Sequence, residues 1–311
     1  MSVLAVGTVA FDDIETPFGE QNGVLGGSAM YICMAARFLT DDVRLVAVVG
    51  NDFPEKYVDV MSDAGVDLRG LDMDPDGKTF TWGGRYHYDL NDRDTLYTEL
   101  NVLSDFDPEL PEAYLDSRIV CLGNLDPAIQ HRVLDQAPSD AFTICDTMNY
   151  WIERTPDSLR TVLSRVDCLV VNDAEARELA DHPNLIRAAG LIREMGPDIL
   201  VIKKGEHGAL LFIDDTIFSV PAYPLEDIQD PTGAGDAFMG GFAGYLSSQP
   251  EITLDTMKQA LVFGSAIGSF CVERFGPERL IDLTRPELER RIDAFRDLTT
   301  IPERDIVTAK R

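Results

Sequence analysis

The sequence predicts an α/β fold: a doubly wound, mostly parallel sheet flanked by helices, with a small β-sheet lid. Three observations predict it. Short apolar runs recur at "SVLAVGTVA" (2–10), "RLVAVVG" (44–50), "RIVCLGNL" (118–125), "FTICDTM" (142–148), "CLVVND" (168–173) and "DILVIKK" (198–204). Helical patterns separate them. One segment, "KTFTWGGRYHYDLNDRDTLYTELNVL" (78–103), breaks that alternation.

Each run is mostly continuous rather than alternating, as in strands covered on both faces of a parallel sheet. Helices are expected at 26–40, 54–65, 126–137, 155–166 and 173–196, then at 233–249, 254–276 and 285–299. Strand–helix alternation of this kind argues a doubly wound sheet. The exceptional segment is rich in Thr, Tyr, Phe and Trp around a polar "NDRD", which predicts a hairpin with strands near 79–88 and 95–102. It stands in the chain as an insertion, so it is expected off the main sheet as a flap. The chain reads as a single domain over 1–311, with a lid formed by about 12–25 and 78–103. Gly240, Gly241 and Gly244 are expected to let their helix pack closely on the helix carrying Gly264 and Gly268.

Charge and composition narrow the function. The net charge is −27, and the lysines are only Lys56, Lys78, Lys203, Lys204, Lys258 and Lys310. A nucleic-acid partner needs a basic footprint, so this balance argues against one. An acidic, lysine-poor surface suits a cytoplasm with very high salt, where self-repulsion is screened; plain solubility explains it equally. No stretch has the apolar length of a membrane span. The N-terminus lacks a basic n-region, so a signal peptide is not expected and the cytoplasm is. Cys33, Cys121, Cys145, Cys168 and Cys271 are scattered without a C-x-x-C, as small buried hydrophobes of a reducing compartment are. His87, His131, His182 and His207 have no zinc-site spacing.

The chemistry-bearing stretch is "DPTGAGDAFMGGF" (230–242). A helix start leaves backbone N–H groups without partners and carries partial positive charge, and glycines let the chain close around a guest. Gly233, Ala234 and Gly235 therefore read as an anion cradle, with phosphate the expected guest. Asp236 beside such a cradle makes sense as a base that accepts an alcohol proton while the cradle neutralises a transferring phosphoryl group. On the residues alone, the alternative is a helix start decorated by Thr232 and Asp236, where acidic residues are welcome. The phosphate loop G-x-x-x-x-G-K-[ST] is absent, and no G-x-G-x-x-G follows the first strand. A hydrolase reading lacks a G-x-S-x-G elbow. A non-catalytic sensor would be expected to have lost the base.

"DPTGAGDAF" resembles the C-terminal signature of the ribokinase-like (PfkB) carbohydrate and nucleoside kinases, and the resemblance runs along essentially the full chain in that family's order. It implies an ATP-dependent kinase that transfers the γ-phosphoryl group to a primary hydroxyl of a ribonucleoside or sugar. Asp236 matches the catalytic base, and Gly233, Ala234 and Gly235 the anion hole. Asp12, Gly26 and Gly27 match substrate-binding positions; Asn172 and Glu175 match the element that organises hydrated Mg²⁺ and phosphates; Lys203 and Gly205 fall on the nucleotide side. Asp230 and Thr232, with the backbone near Cys271, Arg274 and Gly276, match a monovalent-cation site, usually K⁺. The 78–103 hairpin resembles the family's lid, which in some members pairs two subunits, so a homodimer through the lid is one expectation.

Each position also has a plainer reading. Asn172 and Glu175 are spaced as a capping box, Gly26–Gly27 as a turn, Asp12 as a loop carboxylate, and Trp82, Tyr86 and Tyr88 as hairpin cross-strand residues. The pattern departs from ribokinases where Ser28 and Tyr31 stand in place of Lys and Asn, Asn124 in place of a glutamate, and Ala10 in place of a polar residue. Those departures favour an adenosine-like nucleoside, with Tyr31 stacking on a base, over a strict sugar kinase of ribose, fructose or ketodeoxygluconate type; Ser28, Tyr31, Asn124 and, from the lid, Trp82 are then the expected substrate contacts. Asp146, Asn149 and Trp151 are further candidates for the cleft.

Overall fold

In the computed structural model, which describes residues 2–300, two sheets share the chain. β1 (Ser2–Val6) starts the main sheet, and the chain leaves at once for a smaller one through β2 (Ala10–Thr16) and β3 (Gly19–Gly26). It returns through α1 (Ser28–Ala36), β4 (Asp42–Gly50), α2 (Glu55–Asp63) and β5 (Val66–Asp74), then adds β6 (Thr81–Tyr86) and β7 (Arg93–Glu99) to the small sheet. The other half of the main sheet follows: β8 (Ile119–Leu122), α3 (Pro127–Gln136), β9 (Phe142–Cys145), α4 (Asn149–Arg154), α5 (Pro156–Leu163), β10 (Cys168–Asn172), α6 (Asp173–Leu179), α7 (Leu185–Arg193) and β11 (Ile199–Lys203). A hairpin, β12 (Ala209–Ile213) and β13 (Thr216–Val220), precedes α8 (Ala234–Ser248), α9 (Leu254–Cys271), α10 (Glu278–Asp282) and α11 (Arg285–Thr299). Met1 and 301–311, included in the expected domain, lie outside the described residues.

The main sheet has the order β13-β12-β11-β10-β9-β8-β1-β4-β5, parallel from β11 to β5, with β12 and β13 antiparallel. The chain winds outward from β1 on one side and then, from β8, on the other. In open α/β sheets that reversal leaves a crevice at the carboxyl ends of the strands, where ligands bind. Strand residues alternate between two apolar layers. Val3, Ala5, Leu45, Ala47, Cys121, Val170 and Val201 pack toward α1, α8, α9 and α11. Leu4, Val6, Val46, Leu122, Leu169, Val171 and Ile202 pack toward α3, α5, α6 and α7. All five cysteines are free and buried among these layers. No helix of the described residues is long and apolar enough to cross a membrane.

α1 is buried along its whole length because α8 lies over it. Gly240 makes that possible: a Cβ there would run into the carbonyl oxygen of Ile32, and one at Gly244 would meet Ala36 at 3.0 Å. A Cβ at Gly241 would lie 3.0 Å from the Phe263 carbonyl oxygen of α9, and one at Gly264 would lie 2.8 Å from the Phe238 carbonyl oxygen. The expected glycine contact between α8 and α9 is present, and a second set seats α8 on α1.

The small sheet has the order β3-β2-β6-β7. β2 and β6 run parallel with Asp12 opposite Trp82, and β6 and β7 run antiparallel with Tyr86 opposite Arg93. Other elements differ from expectation. The helix expected over 173–196 is two, because Asp181 takes a positive φ of 47° and Pro183 cannot continue the ladder. α9 stops at Cys271, since the Val272 carbonyl turns back to the N–H of Gln229. β5, β12, β13, α4 and α10 were not expected; β5 and β13 are the sheet edges, and half-exposed strands lack the continuous apolar run.

Gly240→Ala is expected to cost about 1–3 kcal/mol by forcing α8 off α1. Gly190→Ala, in α7 with nothing within 4 Å of the new methyl, is expected to stabilise by up to about 1 kcal/mol through helix propensity. Urea unfolding of the two variants reads the contrast.

Candidate active site

α8 begins at Gly233, whose φ of 73° is left-handed and whose α-carbon lies so close to the Tyr31 ring that no side chain fits. The start of the helix is bare. No side chain caps it, and the N–H groups of Gly233, Gly235 and Asp236 have no protein partner among the described residues. Ala234 differs from expectation: its N–H is given to the Pro231 carbonyl at 3.2 Å, because the chain turns tightly there. The free amides of the cradle are therefore those of Gly233, Gly235 and Asp236. Asp230 braces the bend from behind, its two oxygens accepting from Thr232 N–H at 2.8 Å and Gly276 N–H at 2.9 Å. The Cys271 thiol faces the Thr232 carbonyl at 3.6 Å, while the Arg274 guanidinium turns away to Asp282.

The parallel strands deliver the remaining groups at their carboxyl ends. Asp146 directly follows β9, Asn172 ends β10 and Lys203 ends β11, with Asn172 and Lys203 in register. Asn172 and Glu175 form a reciprocal capping box, both bonds 2.8 Å, which orients the Glu175 carboxylate. The Lys203 ammonium lies 3.8 Å from Asp146 and 2.8 Å from the point where a Gly235 Cβ would sit, so it overhangs the cradle. Gly205 follows in the turn after β11.

Burial and mutual repulsion set the protonation of this cluster. Asp236 is raised to about 7, by burial and then by Asp146, against Lys203 and Arg93. One of its carboxylate oxygens is buried with no hydrogen-bond partner. Glu175 is raised to about 7 by burial and Asp146. Burial also raises Asp146, outweighing the nearby Lys203 ammonium. Burial pulls Lys203 down, but Asp146, Glu175 and Asp236 outweigh it and hold the ammonium charged.

The small sheet supplies the opposite wall. Asp12 is 5 % exposed and raised to about 8, by burial, then Asp230, Asp236 and Asp13. Its carboxylate lies against the Gly26 α-carbon, and Gly27, at φ 98°, approaches the Thr8 backbone too closely for a side chain. Trp82 lies on the same face as Asp12, folded over Gly84. The Tyr86 hydroxyl accepts from Thr232 Oγ1 at 3.1 Å, which joins the small sheet to the α8 loop; Tyr88 points outward, fully exposed.

Three expected residues sit otherwise than the sequence suggested. Tyr31 is 1 % exposed beneath Gly233 and presents no ring face for stacking, because α8 covers α1. The Ser28 hydroxyl is tied to Thr8, accepting its N–H at 3.1 Å. Asn124 accepts from the Trp151 indole at 2.9 Å and approaches Met148, leaving Asn149 exposed. Arg93, unremarked in the sequence as part of the polar "NDRD", acts electrostatically on Asp146, Glu175, Lys203 and Asp236. Only its position across from Tyr86 on the hairpin could have drawn notice to it.

A bare helix start beside an unpartnered buried carboxylate, at the switch point of a doubly wound sheet, defines a phosphoryl-transfer class of site. The chain belongs to the pfkB family of carbohydrate kinases, whose family model matches residues 11–282. It is 31% identical over 257 residues to the cytidine kinase of Thermococcus kodakarensis, covering 80% of this chain and 90% of that one. It is 28% identical over 303 residues to the nucleoside kinase of Methanothermobacter thermautotrophicus, covering 93% and 94%. In shape it resembles the nucleoside kinase of Burkholderia thailandensis in complex with inosine, with a TM-score of 0.77 at 22% identity over 94% of this chain and 98% of that one. The chain is an ATP-dependent phosphotransferase with an alcohol group as acceptor.

The base role that the sequence assigns to Asp236 requires the ionised carboxylate, so on that role kcat/KM is expected to rise with pH through about 7 and level off above it. Asp146→Asn removes a charge that raises Asp236 and is expected to move that limb to lower pH. Stability runs the other way. Folded Asp12, Glu175 and Asp236 hold protons that the unfolded chain has released, so thermal unfolding of the free protein is expected at falling Tm from about pH 4.5 to pH 8.

Proposed function

We propose that this kinase phosphorylates the primary hydroxyl of a ribonucleoside. The observation that carries the reading is the unpartnered oxygen of Asp236 beside the free amides of the α8 start, overhung by Lys203. In the proposed step the acceptor oxygen bonds to the γ-phosphorus of ATP and its proton passes to the Asp236 carboxylate. The bond from phosphorus to the bridging oxygen breaks, and its electron pair stays on ADP. The amides of Gly233, Gly235 and Asp236, with Lys203, neutralise the transferring group, a preorganised arrangement that needs no reorientation.

Asp12 and the backbone at Gly26 and Gly27 would hold the sugar hydroxyls. Trp82, on the same face, would offer the ring surface that Tyr31 cannot. The relatives named cytidine kinase and nucleoside kinase support a nucleoside over a simple sugar, as does the absence of the lysine and asparagine that ribokinases place at Ser28 and Tyr31.

No three acidic, histidine or cysteine groups cluster as metal ligands among the described residues. The donor set therefore suits Mg²⁺ held largely by water and phosphate, with Asn172 and Glu175 holding its water. When bound, the ion would supply charge neutralisation across the triphosphate. Asp230 is fully buried with no cationic side chain in ion-pair range among the described residues, and burial raises it. A K⁺ ion at Asp230 and Thr232 would supply that missing charge.

A coupled ADP-release assay over cytidine, adenosine, inosine, ribose, fructose and 2-dehydro-3-deoxygluconate tests the acceptor. Turnover of at least one nucleoside above every sugar is expected; turnover of sugars alone overturns the nucleoside reading. Asp236→Asn is expected to lower kcat by about 100-fold or more while nucleoside Kd is kept. Near-unchanged kcat would remove the base assignment.

A further inference from the structure

We infer that Asn124 selects the base of the nucleoside, and that Trp151 is the positioning residue that makes it selective. The base group chosen is a pure hydrogen-bond acceptor: a ring carbonyl oxygen or an unprotonated ring nitrogen. The inference rests on the ribonucleoside reading above and adds to it the chemistry by which one base is told from another.

The topology puts Asn124 at the crevice. The strand order reverses between β1 and β8, and ligands bind outside the carboxyl ends of the strands at such a reversal. The chain is buried through β8 and Gly123, and Asn124 is the first residue after them that is not. Gly123 lies against the residue that follows Gly27: a Cβ there would sit 2.6 Å from the Ser28 hydroxyl. Its N–H is given to the Val6 carbonyl at 2.8 Å, which carries the β1–β8 ladder one step further.

Buried bonds hold that corner still. The Gln130 side chain in α3, 1 % exposed, donates from its nitrogen to the Gly123 carbonyl at 2.9 Å and to the Asp146 carbonyl at 3.0 Å. It staples the loop after β8 to the loop after β9, which leads into α4 and Trp151. An indole has one N–H and accepts nothing there, whereas a carboxamide accepts at its oxygen and donates twice from its nitrogen. The Trp151 Nε1–H donates to Asn124 Oδ1 at 2.9 Å. Only the oxygen can satisfy the indole, so chemistry sets which way the carboxamide faces. Its nitrogen is left with the Met148 thioether at 3.0 Å, a weak acceptor, and with no other protein acceptor among the described residues. Tyr150, half exposed, packs edge-on against Trp151 with ring centres 4.8 Å apart. Aromatic surface beside a directed donor suits a flat heterocycle with a polar edge.

The lock matters only for a partner that cannot change its own polarity. A sugar hydroxyl donates or accepts, so it can meet either end of a carboxamide. A ring carbonyl or bare ring nitrogen meets the nitrogen alone. Without Trp151 the carboxamide could turn over and offer its oxygen to a ring N–H or an amino group. Trp151 thus rejects bases through the cost of polar groups left unpaired, in addition to shape.

Asn124→Ala, Asn124→Asp and Trp151→Phe, made in the full chain, are assayed with ATP over cytidine, uridine, adenosine, inosine and ribose. Asn124→Ala removes the donor. Asn124→Asp puts an acceptor in its place while keeping the shape and the bond from Trp151. For the nucleoside that the wild type uses best, KM is expected to rise about 10-fold in Asn124→Ala and about 100-fold in Asn124→Asp. The split is expected to fall on KM, with kcat and KM for ATP within threefold of wild type. Trp151→Phe is expected to narrow the spread of kcat/KM across the nucleosides at least threefold; a merely structural role would lower all of them alike and leave the spread unchanged. An acceptor KM in Asn124→Asp within threefold of wild type, or below that of Asn124→Ala, overturns the assignment and leaves the kinase reading intact. An unchanged spread in Trp151→Phe overturns the positioning role. Circular dichroism checks that each variant folds, and Asn124→Asp carries the decision where Trp151→Phe does not. Turnover of ribose alone, or of no acceptor, by the wild type fails the ribonucleoside reading instead.

Discussion

The ammonium of Lys203 is the interaction on which the site depends. Asp146, Glu175 and Asp236 converge on it from β9, α6 and α8. Without it, burial and mutual repulsion would favour protonation of the group proposed as the base. The ammonium also fixes the shape of the cradle, since it stands where Gly235 has no side chain. One cation thus serves two opposed needs: it favours the ionised form of a carboxylate near neutral pH, and it makes room for an anion beside that carboxylate. The second need is what the glycines answer, because any side chain at Gly235 would displace the ammonium.

The packing beneath carries this constraint into the core. α8 must start where it does, and it can because Gly233 rests on the Tyr31 ring while Gly240 rests on the α1 backbone. α1 in turn is buried on every side, its first turn locked to Thr8 at the end of β1. The central strand, the first helix and the cradle therefore form a stack in which each layer sets the height of the next.

What could be read in the sequence was local. The strands β1, β4, β8, β9, β10 and β11 announce themselves because both faces are covered, and "DPTGAGD" because the bend, the helix start and the carboxylate are neighbours along the chain. Edge strands such as β5 alternate with charge and hide in that pattern. Tyr31 was misread as a stacking ring because nothing in "GGSAMY" reveals that α8 will lie over it. The electrostatic influence of Arg93 on Asp146, Glu175 and Asp236 is hidden for a similar reason, since tertiary contacts alone bring the hairpin near them. The lysine overhanging Gly235 was expected on the nucleotide side, but its ion pair with Asp146 joins two strands that are far apart in sequence.

The parallel pairing of β2 with β6 has a mechanical consequence. On the roles proposed here, the strand that grips the acceptor through Asp12 is hydrogen-bonded to the strand whose Tyr86 is joined to Thr232, beside the cradle. An acceptor seated on Asp12 would then bear on the same small sheet that touches the cradle loop. The wall that would grip the alcohol and the bend that would hold the phosphate thus share one continuous set of hydrogen bonds, so a strain on either would be felt by the other.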